Sequence, residues 1–376
     1  MYKFKTFSLI KRDSLRYPVV SNGILFITSD NSNIYTYDGK CPGIWSYNLS
    51  LNQWNILMRL NNYLRPWSED DIIGIVKENN LIKIFSINDT SGEAKTRLHI
   101  CNLTTKKVDV QNLNGFIPRT VFVSRKNIIY YDNCYYTAVC VTPDDNGYAE
   151  TDIYRLNIDS FTWECVYKSS GLDPHQPLVE SAIALIYNEK KIYFFHSLTM
   201  YKLVSTFDLD TYHWDTLQTI GDDRNHGGPF HPPWRSSFSM TEYVDPDSND
   251  TCLLVSGGED LMTFNADTDI WKLNLSTLTW RCLGNFGNLS YQCFLRRWAC
   301  VTPNGRLLTC DESSDNRINR NLFYRKVYAS WTRIPKLVDI CWDAVLHYYP
   351  DLITETKDEV QIKYGVPWNF IQSRIN

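Results

Sequence analysis

The stretch Trp234-Arg235-Ser236-Ser237 sets a guanidinium and two hydroxyls side by side, directly after the Gly/Pro-rich run HGGPFHPP (226–233). An arginine fork matches both oxygens of a carboxylate. Two serine hydroxyls and the wall of Trp234 could complete a small anion pocket. Arg119 in IPRTVFV and Arg297 in FLRRWACV are further candidates, with Arg16 in LRYPVV a weaker fourth. Two readings are open for each arginine. It binds an outside anion, or it satisfies carbonyls or a carboxylate of its own fold. For the Arg235 group the clustering favours an outside anion, because buried cations need anionic partners.

Residue types for catalysis are present without the spacing that catalysis needs. His99, His175, His196, His213, His226, His231 and His347 show no metal-ligand pattern. His226 and His231 sit in the loop before Arg235 and read as solvated loop residues. No nucleophile elbow and no phosphate-binding glycine loop occurs. The run Glu69-Asp70-Asp71 is acidic, yet nothing pairs its carboxylates for acid–base work. The expectation is a protein with no catalytic residue, no metal and no cofactor.

Composition narrows the class further. The chain has 376 residues, 43% hydrophobic and 14% aromatic, enough for one large core or two ordinary ones. Its 24 Tyr, 17 Phe and 12 Trp favour β-structure. A net charge of −4 with no basic block argues against nucleic acid as a partner. MYKFKTFSLIKRDSL lacks the apolar core of a signal peptide, and no run of 18 apolar residues exists, so a membrane partner is not expected. The 11 cysteines are scattered without a C-x-x-C pair, which fits reduced thiols in the cytoplasm or nucleus. The sequons at Asn48, Asn102 and Asn274 read as strand ends.

Positioning any of these side chains falls to a repeat. IWSYNLSLNQW (44–54), LHICNLTTKKV (98–108), IYRLNIDSFTW (153–163), VSTFDLDTYHW (204–214) and IWKLNLSTLTW (270–280) share one pattern. Their starts are 54, 55, 51 and 66 residues apart, and a weaker sixth unit begins near Leu322. Tyr47, Cys101, Leu156, Phe207 and Leu273 each lie seven positions before the closing Trp54, Val108, Trp163, Trp214 or Trp280. Upstream of each unit runs another β signal: GILFITSD, NLIKIFSIND, CYYTAVCV, KIYFFHS, CLLVSGGED and GRLLTCDE. The fifth ends in Gly257-Gly258. A period near 50 of apolar strand, Gly-Gly, aromatic and Trp resembles the kelch repeat, which implies four strands per propeller blade.

Six units imply an all-β, six-bladed kelch β-propeller over residues 1–333, with the Trp residues in its core. The strand YKFKTFSL completes the last blade, leaving no open edge. In such a propeller the segments opening each blade line one mouth of the central channel, and Arg119, Arg235 and Arg297 lie in them. Copper-dependent oxidases share this fold, but a fold does not transfer chemistry.

The pattern changes to helix over residues 334–376. In IPKLVDICWDAVLHYYPDL, Pro335 can open a helix, and Leu337, Cys341 and Val345 recur at every fourth position. TKDEVQIKYG reads as a second helix ending at Gly365, and PWNFIQSRI as a third. Leu337, Cys341 and Val345 resemble the box by which substrate receptors grip elongin C. Lys336 stands where the box has a small residue or Pro. Pro350 and Leu352 in YYPDLI resemble the start of a cullin box.

Taken together, propeller and tail resemble the kelch-repeat substrate receptors of elongin BC/cullin-RING ubiquitin ligases. The resemblance implies elongin B, elongin C and a cullin scaffold as partners. It also implies recognition of client C-termini ending in Gly or Ala, the C-degrons, with Arg119, Trp234, Arg235, Ser236, Ser237 and Arg297 as site residues. The other reading is a kelch protein–protein interaction scaffold whose tail caps the propeller and engages no ligase.

Overall fold

The computed structural model describes residues 7–9, 24–30, 33–38, 43–49, 53–60, 64, 72–88, 95–115, 117, 128–141, 150–169, 182–188, 190–196, 201–223, 230–236, 238–260, 269–285, 298–313, 324–332, 341–342, 344–345, 348–349, 352, 357–365 and 367–369. Among these, strands form six four-stranded antiparallel sheets and one two-stranded sheet.

Five of the four-stranded sheets follow the chain without interruption. The first runs Ile24–Ser29, Asn33–Asp38, Gly43–Asn48 and Gln53–Arg59. The second runs Ile72–Glu78, Leu81–Asn88, Lys95–Asn102 and Val108–Asn112. Ile128–Tyr131, Cys134–Val141, Glu150–Asn157 and Thr162–Tyr167 make the third. Ala182–Asn188, Lys191–His196, Leu203–Asp208 and Trp214–Gln218 make the fourth. Ser239–Val244, Thr251–Ser256, Asp269–Asn274 and Thr279–Asn285 make the fifth.

The sixth sheet is different: Trp298–Val301, Arg306–Ser313 and Tyr324–Trp331 are completed by Phe7–Leu9. Phe7, Ser8 and Leu9 pair with Ala329, Tyr328 and Val327, as expected of an N-terminal closing strand. Within LFYRKVYASW, Tyr324–Trp331 is one strand, and its outer partner comes from the other end of the chain. GILFITSD supplies the leading strand of its sheet, whereas the other five upstream signals supply the second.

The sheets stand in a ring because each buries both faces against neighbours, the propeller arrangement. Six apolar clusters sit in the six seams. Each joins two successive sheets, and one joins the first sheet to the sixth through Trp54, Cys300 and Leu308. Leading strands pack side by side toward the axis. Gly74 marks how tightly: a Cβ there would lie 2.7 Å from Ile128 Cγ1 of the next leading strand.

The repeated tryptophans fasten these seams. Trp163 meets Phe85 of the second sheet at 6.4 Å between ring centroids. Trp214 meets Tyr167 of the third sheet at 6.1 Å. Trp280 meets Tyr201, which precedes Leu203–Asp208, at 5.6 Å and donates from Nε1 to its carbonyl at 3.0 Å. Each Trp thus reaches back into the preceding sheet. Val108, standing where a Trp is expected, packs half-buried in the same way against the cluster around Tyr37.

The N-L-S/T character of the repeat has a backbone cause. The side-chain oxygens of Asn102, Asn157, Asp208 and Asn274 each accept the amides two and three residues on. This is the turn that Asn and Asp favour. The following Leu103, Ile158, Leu209 and Leu275 turn inward, and their amides donate to the carbonyls of Asn80, Asn133, Lys190 and Thr251. Two residues before the closing position, Lys106, Phe161, Tyr212 and Leu278 take φ of 58°, 51°, 54° and 53°. The Asn or Asp side chain closes the hairpin, and the backbone amide of the residue after it ties the hairpin to the preceding strand pair of its sheet.

Helical residues appear at Cys341, Trp342, Ala344, Val345 and Tyr348, and the helix Lys357–Tyr364 (α1) follows. Asp358 and Glu359 occupy its first turn and Lys363 its last, in keeping with the helix dipole. Gly365, at φ 65°, ends it at the expected residue.

Replacing Trp280 by Ala is expected to cost roughly 3–5 kcal/mol of stability. Asn274→Ala should cost about 1 kcal/mol or more, since two turn amides lose their acceptor. Denaturant unfolding with near-UV detection checks both.

Candidate functional site

Arg235 lies on the strand Arg235–Ser236, which pairs with Glu259–Asp260 in the two-stranded sheet just outside the fifth blade. Gly257 and Gly258, with positive φ of 69° and 97°, interrupt the ladder without reversing it: Ser236–Glu259 and Arg235–Asp260 continue the register of Ser239–Ser256. Arg235 is completely buried. Its Nη1 donates to Asp269 Oδ1 at 2.6 Å and to the Gly257 carbonyl at 3.1 Å, and its Nε to the Pro233 carbonyl at 3.3 Å. Asp269 Oδ2 in turn accepts the Trp271 Nε1 proton at 2.6 Å.

This geometry corrects the argument from clustering. The buried cation does need an anion, and the fold itself supplies one in Asp269. Arg235 thus satisfies a carboxylate and two carbonyls of its own blade, the second of the two readings open for each arginine. The arrangement ties the Gly257-Gly258 segment to the strand Asp269–Asn274. Trp234 is half-buried beside it, and Ser236 contributes its backbone to the pairing with Glu259. Ser237, Arg119, Arg297 and Arg16 lie outside the described residues, as does His226. His231 is half-buried with Nε2 3.4 Å from the Thr219 carbonyl, and burial lowers its pKa.

Asp269 and Trp271 were the functional-region residues missed by the sequence reading, although both stand at the head of a recognised repeat. The sign was the pattern Asp-Ile-aromatic, which recurs as Asp152-Ile153-Tyr154. Asp152 is also buried, accepts the Ser169 amide at 2.9 Å and has its pKa raised by desolvation. An Asp at this position serves blade construction in both sheets.

The tail residues separate into two groups. Leu352 and Val360 are fully buried, packed with Trp342, Val345, Tyr364 and Trp368. Cys341, Tyr348 and Ile362 are exposed. Leu337 and Pro350 lie outside the described residues. Of the expected elongin-contacting residues, then, Cys341 faces outward and Val345 is half-buried against the tail's own cluster. Leu352, expected in a cullin contact, is a core residue of the tail. Among the described residues, no cluster of His, Cys, Asp or Glu is placed to hold a metal. No described helix is long and apolar enough to cross a membrane.

The ring of four-stranded sheets fits what comparison with known proteins finds. The chain is 24% identical over 415 aligned residues to the Kelch domain-containing protein 10 homolog of Drosophila melanogaster, covering 99% of this chain. The chain is a divergent relative of Kelch domain-containing protein 10. Identity to the Xenopus laevis protein of that name is 22%, covering 91% of this chain and 82% of the relative. For the Homo sapiens protein it is again 22%, covering 88% and 75%. The chain spans 65% of the Drosophila relative's length. No protein-family profile matches it.

Asp269→Asn should destabilise the fold by about 3–5 kcal/mol, because it strands a buried guanidinium. Arg235→Met with Asp269→Asn should cost clearly less than the two single changes summed, as expected for partners in one ion pair. Chemical denaturation of the three variants measures this coupling.

Proposed function

We propose that the chain is a non-catalytic interaction scaffold serving as the substrate receptor of a cullin-RING ubiquitin ligase, in the cytoplasm or nucleus. The propeller holds a client and the tail holds elongin B and elongin C. A cullin scaffold then brings the ubiquitin-loaded machinery within reach. No bond is made or broken by the propeller, whose contribution is proximity.

One observation carries this reading above that of a capping tail. Among the described residues, the tail's buried apolar residues Leu352 and Val360 cluster with Trp342, Val345, Tyr364 and Trp368 of the tail, while Cys341 of the Leu337-Cys341-Val345 stripe is exposed. A segment that capped the propeller would place that stripe in a propeller cluster. The similarity to Kelch domain-containing protein 10 along most of the chain supports a shared architecture.

For the client site, the arginines at the blade openings remain the proposed carboxylate donors, with Arg119 and Arg297 ahead of Arg235. A client carboxylate at Arg235 would have to displace Asp269 from a 2.6 Å contact. Ser236, Ser237 and Trp234 would line the same mouth.

Full-length chain is expected to copurify with elongin B and C, and Leu337→Ala with Cys341→Ala to abolish that while the propeller keeps its melting transition. Loss of the fold in the double variant would favour the capping tail. A client peptide with a free C-terminus should bind tens- to thousands-fold more tightly than its amidated form, about 2–5 kcal/mol. Arg119→Ala or Arg297→Ala should erase that difference, and equal affinity of the two peptides for the wild type would exclude C-terminal recognition.

A further inference from the structure

A histidine with no part in the candidate site lies in the seam between the first and second sheets. His99 stands on Lys95–Asn102, opposite Ile84 on one neighbouring strand and Val110 on the other. It is 1% exposed. Its Nε2 is 3.0 Å from the Oγ of Ser86, itself buried, and its Nδ1 has no hydrogen-bond partner. Cys101, two residues on and so on the same face, packs with Tyr37, Ile44 and Met58 of the first sheet.

A neutral ring suits this setting. A hydroxyl can donate to Nε2 or accept from it, whichever tautomer is present. An imidazolium cannot be accommodated as well, because it must donate from both nitrogens and Nδ1 would become a buried, charged donor without an acceptor. The charged and titratable groups on this face, among the described residues, offer no relief. Arg97 on the same strand repels a proton on the ring. The Cys101 thiol is pushed up to about 12 by burial and stays neutral. Lys77 of Ile72–Glu78 lies over the Tyr35 ring at 5.2 Å. On the first sheet, Tyr35 donates its hydroxyl to Asp30 at 2.7 Å, and Asp30 also accepts the Asn33 amide at 2.7 Å. Tyr37 is fully buried.

We propose that His99 is an acid-sensitive latch: protonation of its ring opens the seam between the first and second sheets. Burial, and secondarily Arg97, lower its pKa from 6.5 to about 4 while the seam is closed. Once the seam opens, the ring meets water and regains its ordinary affinity for a proton. Above pH 6.5 both states are neutral and the latch contributes no pH dependence. As pH falls below 6.5 the open state takes up a proton that the closed state resists, so closure weakens until about pH 4. At pH 5 the opening constant should exceed its neutral value on the order of 30-fold.

Amide hydrogen exchange of the full chain, corrected for intrinsic rates, tests this at pH 7.5 and pH 5. Amides of Lys95–Asn102 should show the rise in opening, and His99→Gln, which keeps a polar partner for Ser86 and cannot titrate, should remove it. The same rise in both proteins would overturn the proposal. Should His99→Gln fail to fold, the ring of the wild type can be followed by NMR through its contact with Ser86. A ring neutral to below pH 5 while the seam amides lose protection supports the latch. A ring titrating near 6.5 in a seam that stays protected refutes it.

Discussion

Three residue pairs, Phe7 with Ala329, Ser8 with Tyr328 and Leu9 with Val327, hold the two ends of the ring together. Everything else in the propeller presumes that closure. Each sheet has two apolar faces and cannot bury either alone. Each seam cluster draws on two neighbours, so an open ring would leave the first and sixth sheets with one bare face each. Closing the last sheet with the earliest strand also gives Tyr324–Trp331 a partner, so that it is not left as an edge.

Within that constraint four of the five uninterrupted sheets, the second to the fifth, share one device among the described residues. An Asn or Asp side chain closes the last hairpin, a residue with positive φ shapes it, and a Trp or Val projects into the sheet before. The device explains why loss of the Gly-Gly pair in four repeats and of one Trp leaves the architecture intact. Gly257-Gly258 lies where the buried Arg235, paired with Asp269, also donates to the Gly257 carbonyl. Val108 fills less volume than Trp but lies on the same line of contact.

Much of this was legible in the sequence because period and pattern are local. The 50-residue spacing located the hairpins, the run of Trp residues located the seams, and Gly365 marked the end of a tail helix. Charge partnerships were not legible, since they are made across the sheet. Arg235 and Asp269 are 34 residues apart, and nothing in the spacing of either announces the other. The inward turn of Leu352 was equally hidden, because a leucine after YYP reads the same whether it faces a partner or its own small core. Sequence pattern thus finds the frame reliably and leaves the ownership of polar side chains to geometry.

Ring closure also sets a clock. Leu9 and its partner Val327 are 318 positions apart. At a synthesis rate of roughly 5–20 residues per second, the opening strand leaves the ribosome some 15–60 s before its partner exists. During that interval the first sheets can form their hairpins, but the first sheet's outward face stays uncovered and the short strand has nothing to join. Closure of the ring can therefore come no sooner than translation of the intervening chain allows. Cells making this protein faster would shorten that exposure, and a slow stretch of codons ahead of Tyr324 would lengthen it.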